Sequence, residues 1–226
     1  MGPHFDLLAY EALEFNSELD DVTAQIHEAA TIRLQETYHE LLSAADKGVR
    51  EAEALDDYAE WDVARQLRQL EERRAIERER VVGWLALIFI VILLDLKLNK
   101  LKARLDMTHP ARGPYRGKGW LDKLTDEYRE RFGIDLRSNG TAFSFIEELV
   151  LARNSVVHNG GKPSKEYLRE FTKPRLVDEQ GAILFSNKHF KEAVQVLKDY
   201  VDWLVRELIY ICRGERVAGP LRVFTH

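Results

Sequence analysis

Apolar residues return at helical spacing through the first half of this chain, at Ile26, Ala29, Leu34, Tyr38, Leu41 and Ala45 and again at Val63, Leu67 and Leu70. Such a period is the mark of amphipathic helix. Residues 17–105 contain no proline and only two glycines, Gly48 and Gly83. A single helix of that length would run about 130 Å at ~1.5 Å per residue. A break is therefore expected, either near Gly48 or in "LDDYAEW" (55–61), where an Asp is placed to cap a new helix. The stretch reads as a helical hairpin or as a long arm leading into a more apolar segment.

That segment is "VVGWLALIFIVILL" (81–94), 14 residues without a charge. A bilayer needs about 20. Asp95 interrupts the run, and "DLKLNKLKARL" continues it as an amphipathic segment. The expectation is a buried central helix rather than a stable membrane span. "THPARGPYRGKGW" (108–120), with two prolines and three glycines, is a loop. "WLDKLTDEYRERFG" reads as a short amphipathic helix ending at Gly133, and "TAFSFIEELVLARNSVVH" (141–158) as a strong helix closed by Gly160 and Gly161. Two short apolar runs around "DEQG" within 173–186 predict a small β-hairpin. A last amphipathic helix spans 187–213, with Phe190, Val194, Leu197, Val201, Leu204 and Leu208 on one side. The expected fold is all-α: a helical extension over 1–79, a four-helix bundle over 80–213 with a hairpin before its last helix, and a tail over 214–226.

Charge sharpens that division. Residues 1–80 hold 20 Asp and Glu against 9 Lys and Arg, while the remaining 146 residues hold 18 against 24. An acidic extension and a basic bundle suit different partners, the bundle being the better host for an anion. Cys212 is the only cysteine of the 226 residues, so no internal disulfide forms, and a reducing, cytoplasmic setting is expected. The N-terminus "MGPHFDLLAYEALEF" lacks the basic and apolar regions of a signal peptide. No carboxylate cluster has convincing metal-ligand spacing, and no metal or cofactor is expected.

The candidate chemistry lies in "LARNSVVHNGG" (151–161). On an ideal wheel Ile146, Leu149, Val150, Val156 and Val157 form a stripe about 120° wide, with Arg153 near its centre. An unpaired guanidinium there costs several kcal/mol to bury, so Arg153 needs a wet pocket or a partner such as Glu147 or Glu148. Asn154 and His158 lie together on one edge of that stripe. Arg153 and His158 are about 140° apart, too far for one straight helix to aim both at a single phosphate. Either the helix ends at His158, or a second copy of the chain faces the first and brings two Arg and two His into one cleft. The structural alternative is an Arg that snorkels and a His that caps a helix end.

Arg, a polar residue, three further residues and His, followed by glycines, resembles the R-polar-x-x-x-H motif of the HEPN superfamily (higher eukaryotes and prokaryotes nucleotide-binding domains). The resemblance covers residues ~80–213, where the order of helices is also similar; the acidic segment before it resembles no family. It implies a metal-independent endoribonuclease that cuts RNA by attack of the ribose 2′-OH, leaving a 2′,3′-cyclic phosphate, often in toxin–antitoxin or antiviral defence and often as a homodimer with a composite site. Carried onto this chain, Arg153 would hold the scissile phosphate, His158 would move protons, and Asn154 would orient one or the other. Gly160 stands where one toxin subgroup of the family carries a tyrosine. Arg112, Arg116 and Lys118 in the loop, and Lys162 and Lys165 after the motif, are candidates to track the RNA backbone. The competing expectation is a non-catalytic member whose helical arm binds an antitoxin or another regulatory protein.

Overall fold

The computed structural model describes residues 3–27, 34–54, 58–106 and 119–212. They form seven α-helices: α1 (Pro3–His27), α2 (Leu34–Ala54), α3 (Tyr58–Asp106), α4 (Trp120–Phe132), α5 (Gly140–Asn159), α6 (Lys165–Glu170) and α7 (Asn187–Cys212). The class is all-α, as the periodicity implies. Gly48 does not break the first long segment; it lies inside α2, against α3 near Ala64. The second proposed position is nearer the mark, since α3 begins at Tyr58. α2 packs along the first half of α3, giving the expected helical hairpin.

α3 is 49 residues long, about 74 Å at ~1.5 Å per residue. Its second half is the spine of the bundle and packs on α1, α4, α5 and α7. Leu87, Ile90, Leu94, Leu98 and Leu101 are each at most 1% exposed there. Fully burying one such side chain is worth about 1.5–3 kcal/mol. The expected boundary between residues 79 and 80 falls inside this helix. The acidic segment before it also does not stand apart as a whole, because α1 docks on α3 and α7. Leu8, Ala12, Phe15 and Leu19, spaced four, three and four apart, put one face of α1 into the same core. Beside that face Glu11 (1% exposed) accepts from Lys97 (3% exposed) at 2.9 Å. Burial alone would raise the Glu11 carboxyl, but Lys97 and Lys100 outweigh it and hold the group at about 2.

The shorter elements follow their glycines and caps. Gly133 takes a left-handed conformation (φ 67°) and its N–H returns to Arg129, ending α4 where expected. The expected β-hairpin is reduced to one antiparallel bridge, Val177 with Ile183. Asp178 folds the turn instead, its Oδ1 accepting from the N–H of Gln180 and of Ala182 at 2.9 Å each. A side chain that draws the backbone inward at the first turn position leaves little length for a ladder. α6, which the periodicity does not predict, is capped by Ser164, whose Oγ accepts from the Tyr167 N–H at 3.1 Å.

Among the described residues α3 is the one helix long and apolar enough to cross a membrane, and 44% of its most apolar window is buried inside the protein. The expectation of a buried central helix holds on one side only. Val81, Leu85, Phe89, Ile92 and Leu96 line the other side and are 41–61% exposed.

Candidate functional site

α5 carries the motif, and its burial pattern explains where the motif opens. Ile146, Leu149 and Ala152 are at most 1% exposed, Val156 is 8% and Val157 is 46%. The core therefore runs out along the last two turns of the helix. Arg153 lies at that edge, half-buried, as does Asn154, while His158 is exposed. Arg153 Nη1 donates to Asn154 Oδ1 at 3.0 Å. Its Nε is buried and has no hydrogen-bond partner among the described residues. Arg80 Nε, whose guanidinium pairs with Asp178, is buried and unmet in the same way.

Neither carboxylate offered by the sequence meets the Arg153 Nε. Glu148 (2% exposed) turns away and accepts from Tyr167 Oη at 3.0 Å and from the backbone N–H of Arg175. Burial, with Glu148 beside it, pushes the Tyr167 hydroxyl well up. Glu147 is pushed up by burial, and Arg137 is the positive charge that offsets this. The acid that Arg153 does influence is Asp95, the residue that interrupts the apolar run of α3. Burial raises its carboxyl, while Asn99, Arg153 and Lys102 draw it back down. Asn99 Nδ2 fixes its Oδ1 at 2.7 Å. Arg153 thus acts on Asp95 through charge at a distance, behind burial and the Asn99 hydrogen bond.

The glycines after His158 have separate tasks. Gly160 (φ 59°) ends α5 in the left-handed conformation. Gly161 (φ 82°) packs under the Trp84 ring, which a Cβ at this position would overlap. The Gly161 N–H returns to the Ser155 carbonyl at 3.2 Å, and the Gly161 carbonyl accepts from the Ile183 N–H at 2.8 Å. Trp84 Nε1 donates to the Ile183 carbonyl at 2.9 Å, closing the loop. Ser155, fully buried, ties the same turn from within: its Oγ accepts from the Ser164 N–H at 3.0 Å. On α3, Gly83 sits against the Phe185 backbone, where any side chain would collide with the carbonyl. The end of the motif helix is therefore clamped on three sides, with His158 on its open side.

α5 runs unbroken through Asn159, so the helix does not end at His158, and Arg153 and His158 stay about 140° apart around it; Lys162 and Lys165 are exposed just beyond. Arg112, Arg116 and Lys118 lie outside the described residues. Trp84, Ser155 and Asp95 are the residues that sequence reasoning missed. The signal for Asp95 was present, as a lone charge in an apolar run; Trp84 looked like any other core aromatic. Among the described residues no three His, Cys, Asp or Glu side chains gather into a metal-holding group. Compared with known proteins, the chain matches no family model, no curated protein and no solved structure.

Proposed function

We propose that this protein is a HEPN-type, metal-independent endoribonuclease that works in the cytoplasm as a homodimer, with its site at the subunit boundary. The observation that carries this reading is Arg153 itself, half-buried at the edge of the core, its Nε unmet, about one and a half turns from an exposed histidine. A planar guanidinium with a free donor suits a phosphodiester oxygen. His158, in the last turn of α5, takes the proton from the ribose 2′-OH or returns one to the leaving 5′-oxygen. The 2′-oxygen bonds to phosphorus as the P–O5′ bond breaks, and a 2′,3′-cyclic phosphate and a 5′-hydroxyl result. Arg153 stabilises the charge that builds on the phosphate, and Asn154 keeps the guanidinium turned toward it. Lys162 and Lys165, exposed just beyond α5, serve as RNA-backbone contacts, with Arg112, Arg116 and Lys118 as further candidates. A toxin–antitoxin or antiviral defence system is the setting this chemistry suits.

The test is incubation of a mixed RNA pool with purified protein in EDTA. Wild type is expected to cut it, and both Arg153→Ala and His158→Ala to leave it whole. Cleavage that survives His158→Ala unchanged removes the histidine from the reaction. A second reading, a non-catalytic protein that binds a protein partner through its helical arm, has one observation in its favour: Val63, Leu67 and Leu70 on the arm are 43–57% exposed.

A further inference from the structure

The burial pattern of α3 has one side that neither half of the helix uses. At ~100° per residue, the residues it turns to α2 (Trp61, Ala64, Glu71 and Ala75, all half-buried) and those it turns to the bundle (Ala86, Leu87, Ile90 and Leu94, all buried) fall within the same half of the helix circumference. On that scale the exposed apolar residues of both halves, Ile76 apart, share the adjoining sector. Val63, Leu67 and Leu70 on the arm align with Val81, Leu85, Phe89, Ile92 and Leu96 on the bundle within a stripe about 100° wide and about 50 Å long. Arg74, Glu77 and Arg78 interrupt it midway. A shallow depression of about 400 Å³ runs beside the arm part, lined by Val63, Gln66, Leu67, Leu70 and Arg73 among others.

The outer parts of the stripe are palindromic, while Val81 and Leu85 fall opposite Arg78 and Arg74, whose methylene stems would cover them. Taken about a point between Glu79 and Arg80, Val63 mirrors Leu96, Leu67 mirrors Ile92, and Leu70 mirrors Phe89. We infer that two copies of the chain pair their α3 helices antiparallel about a two-fold axis at this point, so that the arm of each copy lies on the bundle stripe of the other. A two-fold contact requires this self-complementarity of one surface. Area favours the full-length register over a shorter one. The eight residues are 41–61% exposed, and covering them completely on both copies removes at most about 1,400 Å², inside the ~1,200–2,000 Å² of stable interfaces. A bundle-to-bundle contact through Val81–Leu96 alone removes about 900 Å² from these residues and falls short of it.

The pairing rests on this geometry alone; its consequence for the site rests on the ribonuclease reading. In an antiparallel pair, like flanks face each other. The flank of α3 that carries Trp84, Ile88 and Asp95 toward α5 would meet the flank that carries Gln66 and Arg73 of the partner subunit. The second copy's arm would then lie beside the edge of the core at Arg153, and the partner's Arg73 would bring a positive charge to it.

Cross-linking of the full chain decides the register without RNA. In a Cys212→Ser background, Leu67→Cys/Ile92→Cys is expected to close into covalent dimers on oxidation, whereas Leu85→Cys/Ile92→Cys stays monomeric on a denaturing gel. Leu67, Leu85 and Ile92 are all exposed, so the cysteines spare the core. Sedimentation of the wild type is expected to give a dimer, and Leu67→Glu to weaken it at least 100-fold with an unchanged far-UV spectrum. Cross-linking of the 85/92 pair in place of the 67/92 pair overturns the register. A monomer at micromolar concentration, or binding of the stripe to phospholipid vesicles in place of a second copy, overturns the pairing.

Discussion

Among the described side chains between Trp61 and Arg80, α3 has none that is buried, whereas from Ala86 to Leu101 it buries a continuous face. The two halves belong to one helix and are held by different forces. The arm relies on α2 and on surface ion pairs: Arg68 with Asp46 at 3.1 Å, Arg68 with Glu72 at 3.5 Å and Lys47 with Glu51 at 3.6 Å, all more than a third exposed. Pairs of this kind contribute about 0–1 kcal/mol each. The bundle half relies on apolar burial and on the enclosed Lys97–Glu11 contact. A helix this long keeps its direction because its second half is fixed in a core, which leaves the arm's apolar side free to meet another surface. The motif sits where the fixed half begins to open, so its geometry is rigid while its mouth faces solvent.

The largest effect expected within the fixed half is chemical. His158→Ala should lower the rate of RNA cleavage about 10²- to 10⁴-fold, the range of general acid–base contributions, with no shift in thermal unfolding because the side chain is exposed. Lys97→Met should cost about 1.5–3 kcal/mol in urea unfolding, since it removes the nearest of three cations from the buried Glu11 carboxylate.

Acid should loosen the same contact. A carboxyl held at about 2 contributes stability that is present above its unfolded value near 4.3 and is lost as the pH falls toward 2. The loss is about 3 kcal/mol. Urea titrations at stepped pH should show this slope in the wild type and a flatter one in Glu11→Gln. Asp95, raised by burial, has the opposite sign: its ionisation opposes folding, so its share of stability falls as the pH rises through its shifted value.

Gly161→Ala should cost about 2–3 kcal/mol, from a positive φ and the overlap with Trp84, and should also slow cleavage by shifting the end of α5. The smallest effect belongs to the arm. Arg68→Ala, which removes two exposed ion pairs, should change stability by about 0.5 kcal/mol or less in the same assay. A cost near that of Lys97→Met would erase the contrast between the two halves.

Much of this was legible in the chain. Apolar spacing and the glycines placed α4, α5 and α7 within a residue or two, because a helix buried on one face writes its period into the sequence. The docking of α1 was harder to read. Leu8, Ala12, Phe15 and Leu19 carry the same period, but the acidic composition around them suggested a solvated arm. The partner of Glu11 stands 86 residues away, a distance that no local pattern spans. The bridge at Val177 fell short of a hairpin because Asp178 tightened the turn. At the site, the residue types of Arg153, Asn154 and His158 were visible in sequence. Their exposure, the unmet Nε and the Trp84 clamp depend on where α5 leaves the core, which is a property of packing.

The claim that matters most is that Arg153 and His158 cut RNA through its 2′-hydroxyl. The most direct measurement uses one RNA that the protein cuts at a single position, compared in EDTA with the same strand carrying a 2′-deoxy residue 5′ to that position. Cleavage of the all-ribose strand to a 2′,3′-cyclic phosphate, with the deoxy strand intact, is the predicted result. Equal cleavage of both strands, or no cleavage of any RNA by the wild-type protein, would contradict it.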